Sequence, residues 1–259
     1  MKKLQRITEA EVINDFLKNE FYQGEFHHDR DRFEPLVLDA DTTNESDNAI
    51  RRALLFRRRG HMWRELPSDT QWWQIELTAE DLNKVRVFPR AQWRKVSNGS
   101  FLLGDIVHRI KTHRFRGATR DFISKVQSLS YRLRVSKDDS SVLLIGIDEA
   151  HPLTILEGNH RLTAALLASP ALLQQRFKIF CGFSPRMSES CWYQTNLPNL
   201  WRYAKNRARN FMYDKDADVE RVEKELLNQS ANLHPSVSAS KVAAGQRGPY
   251  SETTKVRKF

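Results

Sequence analysis

Cysteine is nearly absent: Cys181 and Cys191 are the only two in 259 residues. Two thiols cannot build a disulfide framework, and no Cys/His pair stands near them at zinc-finger spacing, which argues against a structural zinc. A reducing compartment fits that usage. Long apolar runs are lacking too. No stretch approaches the roughly 18 consecutive apolar residues of a membrane span. The opening MKKLQRITEAEVINDF breaks its apolar pattern with acids before a signal-peptide core can form. The expectation is a cytoplasmic protein with no membrane partner. Internal repeats at solenoid periods are missing as well.

What is present is charge of one sign in excess. Lys and Arg number 42 against 32 Asp and Glu, a net charge of +10 that attracts phosphate-bearing partners such as nucleotides or nucleic acid. With 40% apolar residues the chain can bury one large core or two modest ones, and a single domain with decorations is expected.

Periodicity predicts an α+β protein, a small mixed sheet with helices packed on it. Thr8 and Glu11 form a capping box ahead of a helix carrying Val12, Ile13, Phe16 and Leu17. Residues 24–48 show no sustained period and read as an irregular connection. A basic helix should begin near Ser46 or Asp47 and stop at Gly60. Strands are expected over Trp72–Leu77 and Val85–Phe88, with a short capped helix from Thr78 between them. Helices over Phe101–His113 and Thr119–Val135 follow, then a turn over residues 136–140. The run VLLIGID and the run Leu153–Leu156, joined by DEAHP, read as a hairpin of buried strands. Further on come a short helix ALLQQR, a strand FKIFCGF, a loop SPRMSES, and helices over Pro198–Phe211 and Ala217–Leu227.

Chemistry is expected at Glu157-Gly158-Asn159-His160-Arg161. A strand that passes at once into a helix leaves the helix's first N–H groups unpaired, and the dipole adds about half a positive charge there. Gly158 would let a phosphate approach the backbone, and Asn159 is a natural N-cap. Arg161 is at odds with the dipole, a conflict that a fixed anionic partner would remove. His160 could touch the same phosphate or move a proton, and Glu157 could act as base or magnesium ligand. The bland alternative is a capped helix with Glu157 and Arg161 paired across the turn.

The stretch from Val142 to Ala168, above all LEGNHRLTAALLA, resembles the ParB and sulfiredoxin-like superfamily. In its free-serine kinases the matching turn is an acid, Gly, His, His, Arg, and Glu157 to Arg161 fall on those places, with Asn159 where the first His would be. Asn159 also occupies the place of the sulfiredoxin catalytic Cys, which argues against sulfinate reduction. The resemblance implies a core over residues 72–183, between helical extensions at 1–71 and 184–229, followed by a flexible basic tail at 230–259. It further implies phosphates held by Gly158, Asn159, His160, Arg161 and Thr163, with Glu157 and His160 catalytic. The cofactors implied are ATP or ADP, or CTP, together with Mg2+. The spacing from His151-Pro152 to Glu157 does not suit a Fic-type transferase.

Other basic clusters have local explanations. Arg51, Arg52, Arg57, Arg58, Arg59 and Arg64, near Trp63, Trp72 and Trp73, fit a solvated helix face better than a phosphate-tracking surface. Arg109, Lys111, Arg114 and Arg116 end a helix and are the anion contacts best placed to reach a triphosphate tail. Arg202, Lys205, Arg207 and Arg209 share a helix with Leu200, Trp201, Ala204 and Ala208, which suggests amphipathic packing. His27, His28, Asp29 and Asp31 are not expected to converge on a metal. Ser184-Pro185-Arg186 and Cys191-Trp192-Tyr193, which follow the last core strand, should border the cleft. The function expected is a nucleotide-dependent phosphotransferase acting on a small hydroxylated metabolite. The alternative is a ParB-like DNA-binding protein, against which no helix-turn-helix unit is evident and the acidic VERVEKELL counts. A scaffold that binds only a protein partner is the third reading.

Overall fold

The computed structural model describes residues 1–135, 140–173, 177–209, 212 and 214–233. Within them lie strands β1 (Lys2–Ile7), β2 (Gln71–Glu76), β3 (Val85–Val87), β4 (Ser141–Gly146), β5 (Leu153–Glu157) and β6 (Lys178–Phe183). The described helices are α1 (Glu9–Glu20), α2 (Arg30–Leu38), α3 (Glu45–Trp63), α4 (Ala79–Leu82), α5 (Ala91–Ser97), α6 (Leu103–Thr112), α7 (Gly117–Val135), α8 (Asn159–Ala168), α9 (Leu197–Arg209) and α10 (Val219–Leu233). The protein is α+β, a six-stranded mixed sheet in the order β1-β2-β6-β4-β5-β3 with helices on both faces.

The alternation of strand side chains explains the two faces. In β4, Val142 and Leu144 join a core built with α5 to α8, while Leu143 and Ile145 join a second core built with α1 to α3. A run such as VLLI is apolar throughout because both of its faces are covered. Strands β4 and β5 form the expected antiparallel hairpin, β4 runs parallel to β6, and β5 runs parallel to the edge strand β3.

Four expectations are corrected. Residues 2–7 form β1, an edge strand paired antiparallel with β2, whose side chains are exposed except Ile7. The segment 24–48 contains α2, which carries Phe33 and Val37 into the second core despite Pro35. Helix α3, capped by Asn44, runs through Gly60 because Met62 and Trp63 are still buried on its inner side. Helix α5 was not anticipated; it ends at Asn98, a left-handed residue. The expected turn at 136–139, residues 174–176 of the short helix ALLQQR, and the tail beyond 233 lie outside the described residues. Residues 230–233, placed in that tail by composition, belong to α10.

The basic run of α3 is mostly consumed inside the protein. Arg51, almost fully buried, donates from Nη1 to the Leu36 carbonyl (2.9 Å) and from Nη2 to the Asp41 carbonyl (2.6 Å), fastening the end of α2 to α3. Arg52 pairs with Glu9 at 2.6 Å and Arg57 with Asp29 at 2.6 Å. Arg64 pairs with Asp214. The acids of α10 face this cluster: Glu220 pairs with Arg57 at 3.1 Å, and Glu223 pairs with Arg32. Trp63 and Trp72 stack at 5.8 Å in the core and do not form a surface platform. Replacing Arg51 by Met should remove the hydrogen bonds to both carbonyls and destabilise the fold by about 3 kcal/mol, read as a lower midpoint in urea unfolding.

Candidate anion-binding site

Strand β5 ends at Glu157, and the chain turns into α8 through Gly158 at φ 97°. Gly158, not Asn159, is the N-cap residue. A Cβ at Gly158 would sit 3.0 Å from Val142 Cγ2 and 3.3 Å from Val142 Cα, so the glycine is required by the left-handed backbone and by packing on β4. Its N–H donates to its neighbour's carboxylate, Glu157 Oε1, at 2.9 Å. The first N–H of α8 bonded within the helix is that of Leu162, to the Gly158 carbonyl at 2.9 Å.

Arg161 does have a fixed anionic partner, but it is internal. Its Nη1 donates to the Ser141 carbonyl at 2.8 Å, and Nη2 lies 3.6 Å from Glu20 Oε1. Thr163 is fully buried and donates to the Asn159 carbonyl at 2.7 Å, a bond internal to the helix. Both residues serve the fold. Arg109 donates to the Val96 carbonyl at 2.8 Å, and Lys111, Arg114 and Arg116 are exposed. None of these four lines the cavities beside Glu157.

The turn nevertheless stands at a basic cleft. A cavity of about 440 Å³ is walled by Arg59 and His61 from α3, Arg90 at the start of α5, Tyr203 and Arg207 from α9, and Glu157. Phe88 and Trp192, with ring centroids 4.4 Å apart, close one side. The Arg90 guanidinium lies 5.2 Å from the Trp192 ring, and Arg207 donates to the Tyr203 hydroxyl at 3.0 Å. Glu157 is the single carboxylate in this wall among the described residues.

His61 registers the potential of the cleft. Burial first, and then Arg207, Arg59, Arg90 and Arg64, push its pKa from 6.5 down to about 4, so it is neutral at pH 7. On the other side of Glu157 a smaller cavity of about 320 Å³ is lined by Arg90, Gln92, Trp93, Asn159 and His160. His160 stands against Trp93 and Phe122 at 5.4 and 5.2 Å. Desolvation there lowers its pKa; Glu157 opposes this, and Arg90, Arg161 and Lys125 reinforce it. The result is a neutral imidazole beside a carboxylate. Asn159 is buried, and its Oδ1 has no hydrogen-bond partner.

Of the residues singled out from sequence, Glu157, Asn159 and His160 come together here; Trp192 lines the arginine cleft and Tyr193 a neighbouring cavity, whereas Ser184, Pro185, Arg186 and Cys191 line none of these cavities. Burial raises the Cys191 thiol pKa, which keeps it out of nucleophilic chemistry. Sequence reasoning missed His61, Phe88, Arg90 and Tyr203 as site residues, and it assigned Arg59 and Arg207 to ordinary surface. The apolar side of α9 was also misread: Leu200, Trp201, Ala204 and Ala208 are exposed, and the helix docks through Asn199, Tyr203 and Asn206. Among the described residues no group of three His, Cys, Asp or Glu could hold a metal ion, and no helix is long and apolar enough to cross a membrane. Asp29, offered by sequence as a metal-capable atom, is held by Arg57.

No family model, curated protein or solved structure matches the chain. The ParB and sulfiredoxin-like resemblance therefore rests on the turn itself.

Two outcomes follow. Gly158→Ala should cost about 1–3 kcal/mol through backbone strain and the close approach to Val142, measured by thermal or urea unfolding. His61 binds its proton less readily folded than unfolded, so between pH 6.5 and about 4 the unfolded state holds more protons and stability falls as the pH falls through that window. In His61→Gln that part of the pH dependence should disappear.

Proposed function

We propose that the cleft binds the phosphates of a nucleotide and that the protein transfers the terminal phosphoryl group to a small hydroxylated metabolite. The observation that carries this reading is the convergence of Arg59, Arg90, Arg207 and His61 on a wall that holds one carboxylate, Glu157. Guanidinium groups in a partly desolvated cleft match phosphate oxygens in charge and in fork geometry. Here they take the place that sequence had given to the backbone of the turn.

In the reaction, the acceptor hydroxyl oxygen forms a bond to the terminal phosphorus while the bridging P–O bond breaks. The nucleotide leaves one phosphate shorter. Glu157 takes the hydroxyl proton, and the arginines stabilise the charge on the transferring group. His160, whose protonated form is disfavoured by burial, offers a hydrogen bond near Glu157. The donor set does not form a protein cage for a metal. Magnesium, which neutralises phosphate charge when bound, would arrive on the nucleotide, with Glu157 the cleft carboxylate that the described residues place near it.

Calorimetric titration with nucleoside triphosphates and with tripolyphosphate tests the binding. Arg90→Ala and Arg207→Ala should each weaken it about tenfold or more, the equivalent of about 1.4 kcal/mol. Arg161→Ala should lower stability and leave the affinity of the folded protein unchanged. Glu157→Gln should bind and not turn over when phosphoryl transfer to a panel of hydroxylated metabolites is followed by phosphorus NMR. No response to any nucleotide or to tripolyphosphate would overturn the reading. Binding to duplex DNA that falls about 1,000-fold between 50 and 200 mM salt would replace it with the nucleic-acid one.

A further inference from the structure

On the other side of the Phe88 and Trp192 rings from the arginine cleft lies a second cavity of about 390 Å³, lined by the same two rings. Its walls are flat and apolar where Phe88, Phe101, Trp192 and Tyr193 stand, with Pro89 and Pro152 at the margins. Its floor comes from two neighbouring strands. Arg86 of β3 and Thr154 of β5 are register partners, so their side chains leave adjacent positions on the same sheet face. Val85, Val87, Leu153 and Ile155, which alternate with them, fill the opposite core.

Three residues lining this cavity carry a buried polar atom with no hydrogen-bond partner: Arg86 Nε, Thr154 Oγ1 and Trp192 Nε1. Thr154 and Trp192 are 3% and 2% exposed, so these are not surface groups that water satisfies freely. An unpaired buried donor is costly, and on a cavity wall a ligand acceptor can remove the cost. Two of the three, Arg86 Nε and Trp192 Nε1, can only donate. Flat walls select a flat ligand, and obligate donors select carbonyl oxygens at its edge.

We propose that this cavity is the nucleobase subsite of the same ligand, and that it takes a base bearing ring carbonyls in preference to adenine. The proposal rests on the nucleotide reading for the phosphates but is tested apart from it. With phosphates among Arg59, Arg90 and Arg207, the chain of the ligand passes the Phe88 and Trp192 pair, and the base stacks between the aromatic walls. Adenine offers ring nitrogens with one lone pair each and, beside them, a donating amine where the other bases carry a carbonyl oxygen, so it would pair the two N–H groups less well. Arg86, whose guanidinium lies 5.2 Å from the Tyr193 ring, is held as one side of the slot.

The test is calorimetric titration of the whole chain with tripolyphosphate, ATP, GTP, CTP, UTP and the nucleosides uridine, guanosine and adenosine at one salt concentration. UTP, GTP and CTP should bind about tenfold or more tighter than tripolyphosphate and tighter than ATP. Thr154→Val keeps the shape of the side chain, and Arg86→Met keeps its stem. Each should bring the three carbonyl-bearing nucleotides down toward tripolyphosphate while tripolyphosphate itself binds as before. Nucleotides no tighter than tripolyphosphate would overturn the base subsite, and ATP equal to or tighter than the others would overturn its donor edge. If tripolyphosphate does not bind but uridine or guanosine does, and Thr154→Val weakens them, the base subsite stands and the phosphate cleft falls. If neither phosphate nor nucleoside binds, both are overturned.

Discussion

The Glu20 carboxylate, at the end of α1 and mostly buried, holds together the parts that make the site. One oxygen lies 3.6 Å from the Arg161 guanidinium of α8, the other 3.3 Å from that of Arg59 of α3. Its neighbour Asn19 donates to Ser141 Oγ at 2.8 Å, and Arg161 donates to the Ser141 carbonyl. One helix end therefore fixes the start of β4, the first turn of α8 and the basic stretch of α3. Removing one member of such a buried pair leaves its partners charged and uncompensated, which is far more damaging than the small net value of the intact pair suggests. Arg59 acts twice, because the guanidinium tied to Glu20 belongs to a residue that also lines the cleft.

The sheet then decides where the cleft can open. Helices α5 to α8 cover one face, and α1 to α3 with the C-terminal segment cover the other. Strand β3 has three residues and forms the edge, so the second cover has no long strand to lie on there. The chain leaving β3 (Phe88, Pro89, Arg90) and the chain leaving β5 (Glu157) meet residues from α3 and α9 at that corner. Strands β3 and β5 are parallel, and both run toward it. A crevice outside the carboxyl ends of adjacent parallel strands is a common place for ligands in sheets of this kind.

Local signals carried much of the fold. Capping boxes at Thr8 and Thr78, the uninterrupted apolar VLLI of β4 and the hairpin before Leu153 needed only neighbouring residues to be read. Elements whose local chemistry opposed their state were missed. In β1 five of six side chains are exposed and polar or charged for the most part, as an edge strand permits, and α2 contains a proline. At the site, Glu157 and His160 were legible because they sit in one short turn. Arg59, Arg90 and Arg207 were not, since three distant stretches of chain supply them and no spacing links them.

The misplaced cation at Arg161 shows how a sound local argument can identify the wrong partner. A guanidinium in the first turn of a helix does need an anion, and the inference to a fixed negative partner was correct physics. Sequence offers no means of telling a carboxylate 141 positions earlier from a phosphate in solution. The structure supplies Glu20, so the charge of Arg161 is matched within the fold. Arg90 and Arg207 of the cleft are placed differently: both are exposed, and with Arg59 they add to the burial that depresses the His61 pKa. An anion bound there would ease the penalty on a protonated His61 and raise its pKa.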